Sequence, residues 1–131
     1  MKFNKLTPEL SVSNLDKSIG FYTRVLGFKV EYQREKFAFL PFQGSQIMIE
    51  EMNNIWSTGK LDYPFGRGIN FQIEVKDIRP IIRILKKYQY PLFREPKDNY
   101  YRKDSKLLGC REFLVQDTDG YLLRFSQNIV K

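Results

Sequence analysis

The chain has no histidine among its 131 residues. That removes the commonest general base and the commonest metal ligand from any site it builds. What remains for chemistry is a set of carboxylates, one thiol and one well-placed cation. Glu9, Glu50 and Glu74 fall at alternate positions of apolar-polar strand patterns, and such carboxylates can act as general bases when desolvated. Cys110 is the only cysteine. No histidine can activate it, and a lone cysteine beside a strand is usually a small core residue. Arg124 is a fixed cation expected to pair with one of the three carboxylates. No nucleophile–base–orienter constellation is recognisable. Binding without turnover is therefore the first expectation, and metal-independent catalysis is the alternative.

A second group of residues could hold a ligand by stacking. Phe37 and Phe39 lie on one strand, Trp56 in an aperiodic stretch, and Tyr100 and Tyr101 in a basic segment with Lys97, Arg102, Lys103 and Lys106. Aromatic side chains of this kind stack on planar groups. Phe37 or Phe39 could equally be core, and Tyr100 could merely cover a sheet edge.

The elements that must position these residues come from a repeat. Leu10-Ser11-Val12-Ser13-Asn14-Leu15 recurs as Ile73-Glu74-Val75-Lys76-Asp77-Ile78, 63 positions later, and Ile19 meets Ile82 at the same offset. Each copy alternates like a strand, offers Asn or Asp, and then turns helical, so two similar modules are expected. Asn14 is a helix cap, Leu15, Ile19, Tyr22 and Leu26 form one stripe, and Gly27 ends the helix. Asp77 caps the second helix, with Pro80 in its first turn. The pattern predicts helices at about 14–27 and 77–89. Strands are predicted at 6–12, 28–32, 36–40, 46–51, 68–75, 91–94, 112–116 and 121–126. Residues 97–108 read as a basic polar loop, and Asp117-Thr118-Asp119-Gly120 as a hairpin turn.

The expected fold is α+β: two βαβββ modules at about 1–52 and 68–131, joined by a linker at 53–67 into a single domain, with mostly antiparallel, curled sheets. Alternation leaves Thr7, Glu9, Ser11, Gln46, Met48 and Glu50 facing away from the first helix. It leaves Asn70, Gln72, Glu74, Leu122, Arg124 and Ser126 facing away from the second. These are either solvated outer faces or the walls of a wet cleft that orients a ligand.

Composition narrows the setting. No run approaches the roughly 18 apolar residues of a membrane span, and no signal-peptide core is apparent. One cysteine points to a reducing, cytoplasmic location. The net charge of +7 permits anionic partners. The basic segment with interleaved tyrosines suits nucleic acid only weakly, because no recognised nucleic-acid motif accompanies it.

Val12-Ser13-Asn14-Leu15-Asp16-Lys17-Ser18-Ile19-Gly20-Phe21-Tyr22-Thr23-Arg24-Val25-Leu26-Gly27-Phe28 resembles the first helix signature of the vicinal oxygen chelate superfamily. That superfamily contains glyoxalase I, extradiol dioxygenases, fosfomycin-resistance transferases and bleomycin-resistance proteins. Asp117-Thr118-Asp119-Gly120-Tyr121 resembles its late D-P-D-G turn, with Thr118 in place of proline. The nearest likeness within it is to the bleomycin-resistance proteins. Phe37-Ala38-Phe39-Leu40 resembles their third strand, and Arg111-Glu112-Phe113-Leu114-Val115-Gln116-Asp117 their R-D-F-x-V-x-D segment. Tyr100-Tyr101-Arg102-Lys103 falls where they carry aromatic residues over the ligand.

The resemblance implies a homodimer with two ligand clefts, and a drug bound and sequestered without turnover. It implies a ligand with a planar aromatic part, of the bleomycin type. The implied ligand-binding residues are Phe37, Phe39, Glu50, Trp56, Asn70, Gln72, Tyr100, Tyr101 and Arg124. Metal-dependent members place ligands at positions that correspond to Thr7, Glu50, Asn70 and Arg124. Only Glu50 suits a divalent ion, so no metal and no cofactor are expected. Bleomycin is a cation and this chain is basic, which leaves an anionic aromatic metabolite as an alternative ligand.

Overall fold

A computed structural model describes residues 1–129. The contacts divide the chain into two compact units, Met1–Phe65 and a second from Gly66 onward. The first contains β1 (Glu9–Val12), α1 (Leu15–Gly20) continuing through a π-helical turn (Phe21–Val25), β2 (Tyr32–Arg34), β3 (Phe37–Phe42) and β4 (Ser45–Glu51). The second contains β5 (Asn70–Glu74), α2 (Arg79–Lys87), β6 (Arg94–Lys103), β7 (Lys106–Gln116) and β8 (Leu122–Ile129). Each unit is a βαβββ module. The first sheet has the order β1-β4-β3-β2 and the second β5-β8-β7-β6. Among the described strands only the pairs β1·β4 and β5·β8 are parallel. Both parallel pairs are the ones a helix must cross to join, as parallel pairing requires. Among the described residues no helix is long and apolar enough to cross a membrane.

The helices form where the caps stand. Asn14 Oδ1 accepts the Lys17 N–H at 3.0 Å, and Gly27 takes a positive φ of 89° just beyond the π turn. At α2, Ile78 occupies the cap position rather than Asp77. The Asp77 carboxylate still closes the first turn, accepting the Arg79 N–H at 2.9 Å and the Arg79 guanidinium at 2.8–3.1 Å.

One face of each sheet is the core. In the first module Leu10, Val12, Ala38, Leu40, Ile47 and Ile49 are buried together with Leu15 and Tyr22 of the helical segment. Phe28 stacks on Phe42 at 4.6 Å. In the second, Ile73, Phe113, Val115, Leu123 and Phe125 are buried with Ile81 and Leu85 of α2. The Ile78 N–H at the start of α2 donates to Gln127 on this same face at 3.0 Å.

Three departures from the sequence pattern have physical causes. β2 starts at Tyr32 rather than Phe28, although Lys29 and Glu31 N–H groups already bond the Pro41 and Phe39 carbonyls on β3. Residues 97–108 are not a loop but the arms of a long hairpin turning at Asp104 and Ser105. Its exposed strands carry polar residues on both faces, which hides the period of two. Cross-strand pairs hold it instead: Arg111 binds Asp98 through two bonds of 2.7 and 3.0 Å, and Asn99 donates to Glu112 at 3.1 Å. Gln46, assigned to a polar outer face, is 8% exposed because its amide accepts the Asn4 N–H and donates to the Lys2 carbonyl. The amino-terminal segment is thereby tied to β4.

Two outcomes follow for stability. Asn14→Ala should cost about 1 kcal/mol in urea denaturation through loss of the cap. The Asp77 carboxyl is held at about 2, below its ordinary 3.8, first by the Arg79 side-chain hydrogen bond and then by the Arg79 backbone N–H. Its folded pKa is depressed, so its contribution is present above 3.8 and is lost as pH falls toward 2. Asp77→Asn should flatten the acid limb of a thermal-midpoint-versus-pH curve in that window; an unchanged limb would contradict it.

Candidate functional site

The covered face of each sheet leaves an open face, and the two modules use theirs differently. In the second module the register aligns Gln72, Arg124 and Leu114 across β5, β8 and β7. The next row aligns Glu74, Ser126, Glu112 and Lys97 across β5, β8, β7 and β6. Side chains of this face line a recess of about 360 Å3, among them Gln72, Asn99, Tyr101, Glu112 and Arg124.

Glu112 organises that recess. Its Oε1 accepts from Asn99, and its Oε2 lies 3.7 Å from Arg124 Nη1 and 3.9 Å from Cys110 Sγ. The Arg124 Nε donates to Asn70 Oδ1 at 3.0 Å. The Glu112 side chain is 15% exposed and that of Arg124 33%. A carboxyl group with this little exposure needs such partners to offset the solvation it has lost. Arg124 therefore pairs on its own sheet with Glu112. Among the described residues of its own module, the expected partner Glu74 forms no ion pair with it. Glu74 instead accepts from Asn128 at 3.4 Å.

The aromatic candidates separate. Tyr101 is 53% exposed and lines the recess. Tyr100 points to the opposite face, because neighbours on a strand must. It lies across from Gly109, where a β-carbon would stand 2.7 Å from its ring. Trp56 is 65% exposed within residues 52–59, which form no strand or helix. Cys110 is half-buried at the recess rather than in the core.

In the first module Phe37, Phe39 and Glu50 share the open face, Phe37 opposite Glu50 and Phe39 opposite Met48. Both rings are only 2–3% exposed. Phe3 and Tyr32 pack on Phe39 at 5.0 and 5.4 Å, and the Arg34 guanidinium covers Phe37. Neither Phe3 nor Arg34 stands out in the sequence, since Phe3 precedes every element and Arg34 reads as part of a turn. Glu112 was legible as a strand residue, but its alternation with Cys110 and Leu114 was the signal that it faces the recess.

The family model for the Glyoxalase/Bleomycin resistance protein/Dioxygenase superfamily matches residues 2–125. The chain belongs to this superfamily. Solved structures with the same fold include TioX from Micromonospora sp. ML1, with a TM-score of 0.76 at 17% identity, covering 97% of this chain and 100% of that one. A superfamily member from Alicyclobacillus acidocaldarius gives 0.64 at 20% identity, covering 99% and 96%. A member from Vibrio splendidus 12B01 is 32% identical over 94% of this chain and 97% of its own, with a TM-score of 0.45. No curated protein sequence gives a significant match.

Superfamily members that use a metal raise the question of whether these side chains suit one. The positions at issue are Thr7, Glu50, Asn70 and Arg124. Thr7 Oγ1 donates to the Asn4 carbonyl at 3.2 Å, and the Asn70 oxygen is spent on Arg124. Arg124 is itself a cation. Such a donor set does not fit a divalent ion. Among the described residues no group of three or more His, Cys, Asp or Glu is placed to hold one.

The network makes its own prediction. Arg124→Ala strands the Glu112 carboxylate and should cost about 1–3 kcal/mol in urea denaturation. Combined with Glu112→Gln the loss should be smaller than the sum of the two single changes, because the residues share one interaction. Additive losses would mean that the pair is not coupled.

Proposed function

We propose that the protein binds and sequesters a small molecule with a planar aromatic part, in the manner of the bleomycin-resistance branch of its superfamily, without turning it over. The observation that carries this reading is the recess of the second module. Its two charges, Arg124 and Glu112, are already paired, and Gln72 and Asn99 add neutral amides beside an exposed Tyr101 ring. Polar groups in such a recess fix a ligand's orientation, and the ring supplies stacking area. Catalysis finds less support there. Cys110 contacts Glu112 at 3.9 Å, and the chain has no histidine that could complete a nucleophile–base–orienter arrangement with it.

The reading includes a homodimer, since an open sheet face is most simply completed by two-fold association. Light scattering at micromolar concentration should then give twice the chain mass of 15.7 kDa.

Calorimetric titration tests the function. Bleomycin and related planar drugs should bind in the micromolar range or tighter, and be recovered unchanged. Tyr101→Ala should weaken binding about tenfold, the equivalent of roughly 1.4 kcal/mol of stacking, with the circular dichroism spectrum unaltered. Tyr100→Ala should leave affinity intact. If an anionic aromatic acid binds well and the drugs bind no tighter than millimolar, the ligand is a metabolite held by Arg124. Turnover of any such compound would contradict the reading.

A further inference from the structure

The net charge of the chain is not evenly shared. Residues 66–131 hold 14 of the 22 Lys and Arg but only 8 of the 15 Asp and Glu, so nearly all of the +7 belongs to the second module. Its cations are also gathered in space. The α2 helix contains Arg79, Arg83, Lys86 and Lys87 and no carboxylate. At 3.6 residues per turn these four fall on one side of the helix. All four are exposed, whereas Ile81 and Leu85 on the other side are buried. The stripe runs about 12 Å along the helix.

The sheet extends the stripe. Arg111 of β7 alternates with Cys110 and Glu112, which face the recess, so it points to the helix side. Its register partner Gln127 accepts the Ile78 N–H at the start of α2. Arg79 feels it there: the Arg79 pKa is raised first by the Asp77 hydrogen bond, with Arg111 acting in the opposite sense. Acids do little to balance this side. Asp77 and Asp98 reach it, but each is engaged by one arginine, Arg79 and Arg111. Asp117 and Asp119 are buried in their turn, and Glu112 faces the recess. Among the described residues Arg83, Lys86 and Lys87 form no ion pair. Among the described residues β8 pairs with β7 only as far as Gly109 opposite Ile129. Past that point β6 and β7 continue as a two-stranded ribbon, with Arg102, Lys103 and Lys106 exposed at its turn.

We propose that the helix side of the second module is a docking surface for duplex DNA, with the α2 stripe on the phosphate backbone and the basic ribbon in the major groove. Duplex DNA carries one negative charge for about every 1.7 Å of its axis, and Lys and Arg side chains with unspent donors are the ordinary partners of its phosphate oxygens. A two-stranded ribbon fits the major groove of B-form DNA but not the deep, narrow one of A-form RNA. An anionic membrane is disfavoured, because the apolar face of α2 is committed to the core and none is left to insert. Phosphate contacts carry no sequence information, so the binding is sequence-tolerant. The surface lies on the opposite side of the sheet from the recess and does not depend on the sequestration reading.

Fluorescence anisotropy of a labelled DNA duplex of about 20 base pairs, titrated with the whole protein, tests it. At about 50 mM salt the duplex should bind in the micromolar range, and weaken steeply by about 200 mM. Arg83→Gln with Lys87→Gln should weaken binding at least about tenfold and lower the slope of log Kd against log salt by about two. Arg102→Gln with Lys103→Gln, in the ribbon, should also weaken it. Lys5→Gln with Lys29→Gln removes the same net charge from exposed positions of the first module and should leave affinity intact. Circular dichroism checks the fold of each variant. The proposal is overturned if the duplex binds no tighter than about 100 μM at low salt, or if the first-module variant weakens it as much as the α2 variant. It is also overturned if the ribbon variant binds unchanged, if an RNA duplex of the same sequence binds as tightly, or if phosphatidylserine vesicles bind the α2 stripe and DNA does not.

Discussion

A single helix can cover only one face of a four-stranded sheet. That constraint shapes both modules. The buried faces are apolar without exception at their centres, from Leu10, Leu40 and Ile49 in one to Ile73, Phe113 and Phe125 in the other. Strand alternation then forces an equal number of side chains onto faces that no helix of the same module shields. Those side chains must be solvated, paired among themselves, or covered by something else. Each module answers differently, and the difference is where binding chemistry resides.

The first module answers with aromatic rings and its own chain. Gln46 ties the amino-terminal segment to β4 through two hydrogen bonds of 2.7 and 2.8 Å, and this brings Phe3 onto Phe39. Arg34, opposite Phe37 in the register, closes the other ring. The second module answers with charge pairing. Glu112 and Arg124 satisfy one another and recruit Asn70 and Asn99. A half-buried pair of this kind adds little net stability but is costly to break, so it serves best to fix side-chain positions around the recess. The same fold thus presents an aromatic, acidic face in one copy and a polar, charge-balanced face in the other. Repeated architecture does not impose repeated chemistry.

The architecture was legible because its signals are local. Asn14 before an apolar stripe and Gly27 after it bound a helix, and the recurrence of the pattern at Ile73 announces a second module. The Asp117 turn was legible for the same reason: its carboxylate accepts the Asp119 and Tyr121 N–H groups at 2.9 Å, a contact made within five residues. The site was less legible because it depends on register between distant strands. Tyr100 and Tyr101 look equivalent in a polar segment, and only a strand separates them onto opposite faces. Arg124 has several carboxylates within plausible reach by sequence, and only the β7·β8 register brings Glu112 beside it. Phe3 belongs to no periodic segment, so nothing in the pattern marks it as a cover for Phe39.

The central claim is that the open face of the second module receives a ligand while the covered face does not. Amide chemical shifts of isotope-labelled protein, followed as a planar aromatic drug of the bleomycin type is added, test it most directly. The account predicts shifts concentrated at Gln72, Asn99, Glu112 and Arg124, with Ile81 and Leu85 of α2 unmoved. Shifts centred on α2, or spread evenly through both modules, would contradict it.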